Sequence, residues 1–218
     1  MIDIKKTDVI DSILEKKIVA ILRKISPQYY LQTVESLYQG GIRLMEITFD
    51  QTGAFSRKTT IEQIHMIADK YKGEIWPGAG TVLNVEQVDA AYNAGAKYII
   101  SPNVDERVIK RTVELGMVSI PGALTPTEAE NAHKWGADFV KLFPAGDFGI
   151  SYIKSIMAPL NHIRYIAVGA VRPNNITEFF DAGVSGVGVS SSLINMKLIR
   201  EGRYSELKDL AQSFTTQI

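Results

Sequence analysis

The chain has 218 residues and contains no cysteine. The absence of thiols excludes disulfide bonds, a cysteine nucleophile and thiolate ligands for a metal. Lysine and arginine together number 24, as do aspartate and glutamate, so the net charge is zero and no basic excess indicates nucleic-acid binding. No apolar run approaches the roughly 18 residues that span a membrane, and residues 1–6 lack the apolar core of a signal peptide. We therefore expect a cytoplasmic protein that acts on small molecules, with no nucleic-acid or membrane partner.

Glycine recurs between helical segments and the short apolar runs that follow them. Helical stretches end at Gly95, Gly116, Gly136 and Gly183, and an apolar run begins within a few residues of each. Glycine adopts the left-handed conformation that follows a helix without steric cost. The first three of these glycines lie about 20 residues apart, the length of one helix, two short loops and one strand. The spacing predicts repeated strand–helix units.

Eight strands are predicted from the apolar runs. Most runs are continuous rather than alternating, which is typical of parallel strands covered on both faces. They lie near residues 18–22, 42–48, 75–79, 98–101, 117–120, 138–142, 165–168 and 186–189. Eight such units favour an α/β fold, a single (β/α)8 TIM barrel that spans residues 1–218 as one domain. The alternative is a doubly wound open sheet, although its dinucleotide-binding fingerprint is absent after the first strand.

Local signals mark where several of the intervening helices begin. Thr125, Pro126 and Glu128 have the pattern of a capping box with proline in the first turn. Asn84 and Pro173 mark two further helix starts.

Lys141 interrupts the predicted apolar strand at residues 138–142, and functional residues of a barrel lie at the C-terminal ends of its strands. It projects to the face opposite Val140 and Leu142. Burial would lower the pKa of its ammonium group, so that the neutral amine could attack a carbonyl and form a Schiff base. The alternative is a lysine whose head group reaches solvent at the end of the strand.

Glu46 is the corresponding charged residue of the second predicted strand. Met45, Ile47 and Phe49 share one face of that strand, so Glu46 lies on the other. If the apolar face contacts the helices, Glu46 points into the mouth of the barrel, where a carboxylate could transfer protons. The alternative is a structural ion pair with an arginine or lysine of the barrel.

The loops after the other strands supply further candidate binding residues. Gly169 and Ala170 follow the seventh strand and Ser190 and Ser191 follow the eighth, a place where barrels often bind phosphate on backbone amides. The glycines of segment 78–81 could equally reflect the steric requirements of a tight turn.

The three histidines do not predict a metal site. His65 and His133 fall within predicted helices and His162 in a predicted loop, without the spacing of metal ligands. We expect all three at the surface and no bound metal.

Several of these segments occur together, in the same order, in one enzyme family. They are Glu46 in Met-Glu-Ile-Thr, Gly78-Ala79-Gly80-Thr81-Val82, Ser101-Pro102, Pro121-Gly122, Thr125-Pro126-Thr127-Glu128 and Val140-Lys141-Leu142-Phe143-Pro144-Ala145. From about residue 18 to about residue 193, the chain resembles the 2-keto-3-deoxy-6-phosphogluconate (KDPG) aldolases, a family also named for 4-hydroxy-2-oxoglutarate. Arg23 after Ala20-Ile21-Leu22, and Asn103 after Ser101-Pro102, resemble the relatives that cleave the galactonate epimer (KDPGal).

The resemblance implies a class I aldolase, a homotrimer of TIM barrels that needs no metal or other cofactor. It would cleave a 2-keto-3-deoxy-6-phospho sugar acid to pyruvate and an aldehyde such as glyceraldehyde 3-phosphate. By position, Lys141 matches the Schiff-base lysine, Glu46 the general acid/base and Thr81 a residue at the pyruvoyl end. Gly169 and Ser191 match residues that bind phosphate. The predicted substrate-binding residues are Arg23, Thr81, Pro102, Gly169, Ala170, Ser190 and Ser191.

Three positions depart from the family pattern. Asp50 stands where many KDPG aldolases have arginine, Ala170 replaces a glycine of the phosphate-binding pair, and Ser190 replaces the glycine of the last loop. These departures affect the predicted substrate and phosphate affinity rather than the reaction type, and they leave Arg23 as the candidate ligand of the substrate carboxylate. The alternative functions are a non-catalytic barrel that binds a phosphorylated ligand and a related barrel isomerase or decarboxylase.

Overall fold

Parallel strands and helices alternate along residues 5–218, the part of the chain that this computed structural model describes. The strands are β1 (Ile18–Leu22), β2 (Leu44–Thr48), β3 (Trp76–Gly80), β4 (Tyr98–Ile100), β5 (Val118–Ile120), β6 (Gly122–Ala123), β7 (Val140–Leu142), β8 (Tyr165–Val168) and β9 (Gly186–Val189). The helices are α1 (Lys6–Lys16), α2 (Pro27–Gln39), α3 (Arg57–Lys70), α4 (Val85–Asn93), α5 (Glu106–Glu114), α6 (Pro126–Lys134), α7 (Ala145–Met157), α8 (Ile176–Asp181), α9 (Met196–Arg200) and α10 (Tyr204–Thr215). All eight predicted strands are confirmed, with ends that differ by one or two residues.

The strands form one parallel sheet in the order β5-β4-β3-β2-β1-β9-β8-β7-β6. The two ends of this order, β5 and β6, are separated in sequence only by Pro121. Proline has no backbone N–H to donate, so the hydrogen-bond ladder is interrupted there. The Pro121 carbonyl still accepts the Lys141 backbone N–H at 2.8 Å. β5 and β6 are therefore two halves of one barrel strand, and the sheet closes into the predicted (β/α)8 barrel.

The core has two layers because alternate residues of each strand point to opposite faces. Val19, Ile21 and Leu44 pack inside the barrel, whereas their strand neighbours pack outward against the helices. Val9 and Ile13 of α1 join the inner layer. Since α1 packs against β5 and β9, it covers the N-terminal end of the barrel and leaves the C-terminal end open. This covering helix precedes the first of the eight predicted strand–helix units and is not among them.

The local signals at the helix ends act as expected in most cases. Gly95, Gly116, Gly136 and Gly183 all have φ between 70° and 97°, in the left-handed region. The Glu128 carboxylate accepts the Thr125 backbone N–H at 2.8 Å, and Thr125 Oγ1 accepts the Glu128 N–H at 3.3 Å, which completes the capping box. The start predicted at Pro173 is early, because α8 begins at Ile176 after the cap residue Asn175. No helix within residues 5–218 is long and apolar enough to cross a membrane.

Candidate active site

A cavity of about 320 Å³ opens at the C-terminal ends of the strands. This volume is within the range of small-molecule binding sites. Every predicted site residue lines it, namely Arg23, Glu46, Thr81, Pro102, Lys141, Gly169, Ala170, Ser190 and Ser191. These residues come from seven different barrel strands or the loops that follow them, so the closure of the barrel brings them together.

Lys141 lies inside the barrel and not at its solvent-exposed rim. Its residue is 7% exposed, and its Nζ lies 4.8 Å from the centroid of the Phe143 ring. Burial lowers the pKa of the ammonium group; the Glu46 carboxylate opposes this effect and the Arg23 guanidinium adds to it. The geometry therefore excludes the alternative in which the head group of Lys141 reaches solvent, and it favours a neutral amine.

Glu46 lies on the inner face of β2, as its strand pattern predicts, and it is 2% exposed. Burial raises the pKa of its carboxyl group, and the positive charges of Lys141 and Arg23 partly reverse the rise. Its Oε2 atom has no hydrogen-bond partner within the described chain. A buried carboxylate with a free oxygen and a raised pKa is suited to proton transfer, whereas a structural ion pair would hold the carboxylate ionised.

The two inward-facing glycines of β3 have a steric function. A Cβ atom at Gly80 would lie 1.7 Å from Glu46 Oε1, and one at Gly78 would lie 2.0 Å from the ring of Tyr98. Gly80 therefore provides the space that the Glu46 side chain occupies. The steric explanation of this segment is confirmed for both glycines, although they lie in a strand and not in the turn that the sequence suggested.

Thr81 follows β3 in a conformation that is uncommon for its residue type. Its φ is 54°, and a β-branched residue in the left-handed region is a genuine outlier. The Gln51 side-chain amide donates to the Thr81 carbonyl oxygen at 2.9 Å. The contact helps to hold Thr81 at the edge of the cavity, and such strained residues cluster at functional sites.

Arg23 and Asp50 differ in their relation to the cavity. The exposed Arg23 lines the cavity, whereas Asp50 is absent from its lining residues. The Asp50 carboxylate accepts hydrogen bonds from Thr52 Oγ1 and the Phe55 N–H, both at 2.8 Å, and pairs with Lys24 Nζ at 3.0 Å. The Thr52 hydroxyl, together with the Lys24 ammonium, holds the pKa of this carboxyl well below its usual range. The hydrogen bonds and the ion pair of Asp50 thus organise its own loop, and its carboxylate is not among the groups that line the cavity.

The loops after the neighbouring strands β8 and β9 lie side by side at the cavity. Gly169 and Ala170 both have positive φ, 115° and 53°, and Ser192 Oγ donates to the Val171 carbonyl oxygen at 2.6 Å. The N–H groups of Ala170 and Ser191 donate to no protein acceptor within residues 5–218. Free amides in consecutive turns form concave sites that suit an anion.

Several lining residues are absent from the predicted set, and two of them, Phe143 and Arg172, bring an aromatic ring and a positive charge to the cavity. Phe143 lies two positions after Lys141 and on the same face, so the strand alternation could have identified it. Arg172 lines the cavity directly after Val171, whereas the predicted site residues of this loop are only Gly169 and Ala170. Its cationic side chain is the signal that could have found it.

The histidines are less scattered than their positions in the sequence suggest. The rings of His133 and His162 pack edge to face with centroids 4.8 Å apart, and His162 Nε2 lies 3.3 Å from Glu130. All three histidines are exposed, so their predicted position at the surface is confirmed. The described residues contain no group of three histidine, cysteine, aspartate or glutamate side chains that could hold a metal ion.

Comparison with known proteins identifies the family of this barrel. The family described as KDPG and KHG aldolase matches residues 9–210. The chain belongs to that family. Among its relatives, the 2-dehydro-3-deoxy-6-phosphogalactonate aldolase of Escherichia coli K12 is 39% identical over 81% of this chain and 83% of its own length.

Two further matches cover most of the chain. The 2-dehydro-3-deoxy-phosphogluconate aldolase of Treponema pallidum is 33% identical over 89% of this chain and 93% of its own length. A solved structure described as native KDPGal superposes with a TM-score of 0.82 at 35% identity, covering 92% of this chain and 93% of that one. The predicted family and the predicted barrel are both confirmed.

Proposed function

We propose that this KDPG/KHG-family aldolase catalyses the reversible cleavage of a 2-keto-3-deoxy-6-phospho sugar acid, KDPG or its galactonate epimer, with 4-hydroxy-2-oxoglutarate as a further candidate substrate. The products are pyruvate and an aldehyde, which is glyceraldehyde 3-phosphate for the phosphorylated substrates. The observation that carries the proposal is the pair of buried titratable side chains, Lys141 and Glu46, in one cavity. Burial shifts both pKa values toward neutrality, which suits a nucleophile and a proton carrier.

Lys141 would supply the covalent step. Its neutral Nζ attacks the C2 ketone, and the carbinolamine that forms loses water to give an iminium ion. The C3–C4 bond then breaks; its electron pair passes into the iminium to form an enamine, and C4 leaves as the aldehyde. Protonation of the enamine at C3 and hydrolysis release pyruvate and restore the amine. No metal or organic cofactor is needed for this sequence.

Glu46 would move the two protons. Its carboxylate takes the C4 hydroxyl proton, directly or through one water molecule, as the C3–C4 bond breaks. The carboxylic acid that results then protonates the enamine. The unpartnered Oε2 atom supports this role, since no protein hydrogen bond within the described residues has to break before it accepts a proton.

The remaining lining residues would bind the two ends of the substrate. Arg23 suits the C1 carboxylate because its charge acts on the reacting pair, and Thr81 and Pro102 border the pyruvoyl part. The backbone amides near Gly169, Ala170, Ser190 and Ser191 would bind the phosphate. Relatives named for both epimers match the chain, so the configuration at C4 stays open. The homotrimer implied by the resemblance and the cytoplasmic location expected from the composition both stay predictions.

A barrel that only binds a phosphorylated ligand is the competing function. Such a protein has no need of a buried lysine, whose burial without a close partner costs free energy. A barrel isomerase or decarboxylase is disfavoured by the same pair of side chains.

The experiment is borohydride reduction in the presence of pyruvate, followed by peptide mass spectrometry. One reduced pyruvate should attach to the peptide that contains Lys141, and Lys141→Ala should lose the adduct and nearly all turnover while it remains folded. Lys97→Ala is the matched control, because Lys97 is also partly buried with a lowered pKa but precedes β4 at the opposite end of the barrel. Labelling at another lysine, or turnover that a chelator abolishes, would exclude the proposal.

A further inference from the structure

Two arginines line the cavity, and they differ in their relation to the reacting pair. Burial shifts the pKa values of Glu46 and Lys141 most, followed by the charge of the other member of the pair and then by the charge of Arg23; Arg172 is not among the causes. Arg23 follows β1, next to the strand of Glu46, whereas Arg172 follows β8 in the same loop as Gly169 and Ala170. Arg172 therefore belongs to the part of the cavity that this loop lines.

The Arg172 backbone is held in place, but its side chain is exposed and free. Its N–H donates to Asn175 Oδ1 at 2.7 Å, and Asn175 Nδ2 donates to the Ala170 carbonyl oxygen at 3.0 Å. No carboxylate or carbonyl group within residues 5–218 binds the Arg172 guanidinium, whereas Arg111 and Arg203 each pair with two acidic side chains. A guanidinium on an ordered loop at the edge of a cavity, with no protein partner among these residues, is available to a ligand.

The neighbourhood of Arg172 indicates what the ligand is. The free amides of Ala170 and Ser191 line the same cavity, and neither an aspartate nor a glutamate other than Glu46 is among the lining residues. A guanidinium presents parallel N–H donors that match two oxygens of a phosphate or a carboxylate. Donors without competing acidic groups therefore favour an anionic group of the ligand.

We propose that Arg172 binds the distal anionic group of the substrate and determines how strongly this enzyme prefers phosphorylated substrates. The inference rests on the proposed function, which already places the phosphate near Ala170 and Ser191, and adds a side chain that carries full charge. Because the distal group takes no part in the bond that breaks, Arg172 stabilises bound substrate and transition state alike. Such uniform binding lowers KM and leaves kcat nearly unchanged.

The test compares Arg172→Gln and Arg172→Lys with the wild-type enzyme on two substrates, KDPG and its non-phosphorylated counterpart. A hydrogen bond to a charged group typically changes binding by about 10- to 100-fold. We expect Arg172→Gln to lower kcat/KM for KDPG by at least about 10-fold, through a higher KM. For the non-phosphorylated substrate, kcat/KM should change by less than about 2-fold. Arg172→Lys should recover part of the loss because it keeps the charge but not the paired donors.

Arg164→Gln is the matched control. Arg164 precedes β8, so it lies at the other end of the strand that leads to Arg172, where its guanidinium packs 5.9 Å from the Phe139 ring centroid. The Arg164→Gln variant should have the same kcat/KM as the wild-type enzyme for both substrates. Inorganic phosphate, used as a competitive inhibitor, should bind Arg172→Gln more weakly by the same factor as KDPG.

The outcomes separate this inference from the proposed function. An equal loss on both substrates, or no loss on either, would overturn the role of Arg172. The pyruvate adduct at Lys141 is measured in every variant and does not depend on the distal group. If the wild-type enzyme forms no adduct, the proposed function fails; if the adduct forms in all variants while the preference for phosphate stays constant, only the inference about Arg172 fails.

Discussion

Gly80→Ala offers a sharp test of the role of Glu46, because it perturbs the carboxylate without changing its chemistry. The added Cβ would lie 1.7 Å from Oε1, 2.4 Å from Cδ and 2.6 Å from Cγ of Glu46. Ordinary contact begins at 3.4 Å, so the carboxylate must move by about 1.7 Å. The substitution therefore moves the proposed acid/base group away from the reacting atoms.

The size of the effect follows from this displacement. A misplacement of about 1 Å can cost about 100-fold in rate, so we expect Gly80→Ala to lower kcat by about 100- to 1,000-fold, or roughly 3–4 kcal/mol. Overpacking costs about 1–3 kcal/mol of stability, and each kcal/mol lowers Tm by roughly 2–4 °C in a chain of this size. The reaction of Lys141 with pyruvate should persist, since the lysine is not displaced directly.

The assay measures kcat per folded molecule together with the borohydride-trapped adduct. Gly186→Ala is the control, because its Cβ would lie 2.8 Å from the Lys17 carbonyl oxygen at the N-terminal end of β9. It should lower Tm by overpacking but leave kcat unchanged. Normal turnover in Gly80→Ala, or an equal loss of turnover in both variants, would refute the reasoning.

Two further predictions concern buried polar groups. Glu46→Gln should lower turnover by about 100- to 10,000-fold and still allow the pyruvate adduct; normal turnover with a much lower Tm would instead indicate a structural role. Tyr98→Phe removes a buried hydroxyl that has no hydrogen-bond partner among the described residues, so Tm should rise, by roughly 2–4 °C per kcal/mol gained. Tyr30→Phe should have the opposite effect, because the Tyr30 hydroxyl donates to the Gln63 carbonyl oxygen at 3.2 Å. A lower Tm for Tyr98→Phe would contradict the prediction.

The residues of the active site could be named from the sequence because their signals are local. Lys141 and Glu46 are charged residues in apolar strands, and strand alternation alone places each on the face opposite its apolar neighbours. The helix-terminal glycines and the capping box at Thr125 are likewise decided by the backbone preferences of a few adjacent residues. Because these signals mark where helices begin and end, the eight strand–helix units can be counted from the sequence, and that number predicts the barrel.

The structural roles of Gly80, Asp50 and Arg172 depend on contacts between segments that are far apart in the chain. Gly80 reads as an ordinary turn glycine until β2 and β3 pair and bring the Glu46 side chain over it. In the sequence, Asp50 is only a departure from the arginine of the family pattern; the structure shows that Lys24 and the loop at residues 52–55 bind its carboxylate. Arg172 carries no periodic or capping signal at all.

By itself, the sequence determined the eight strand–helix units of the barrel, the inward direction of Lys141 and Glu46, and the family. Only the tertiary structure decided that both side chains are buried in one cavity, that Asp50 is absent from its lining, and that Arg172 is present there. The physical reason is the range of the interactions: alternation and capping act over two to four residues, whereas burial and charge pairing arise when the closed barrel brings distant loops together.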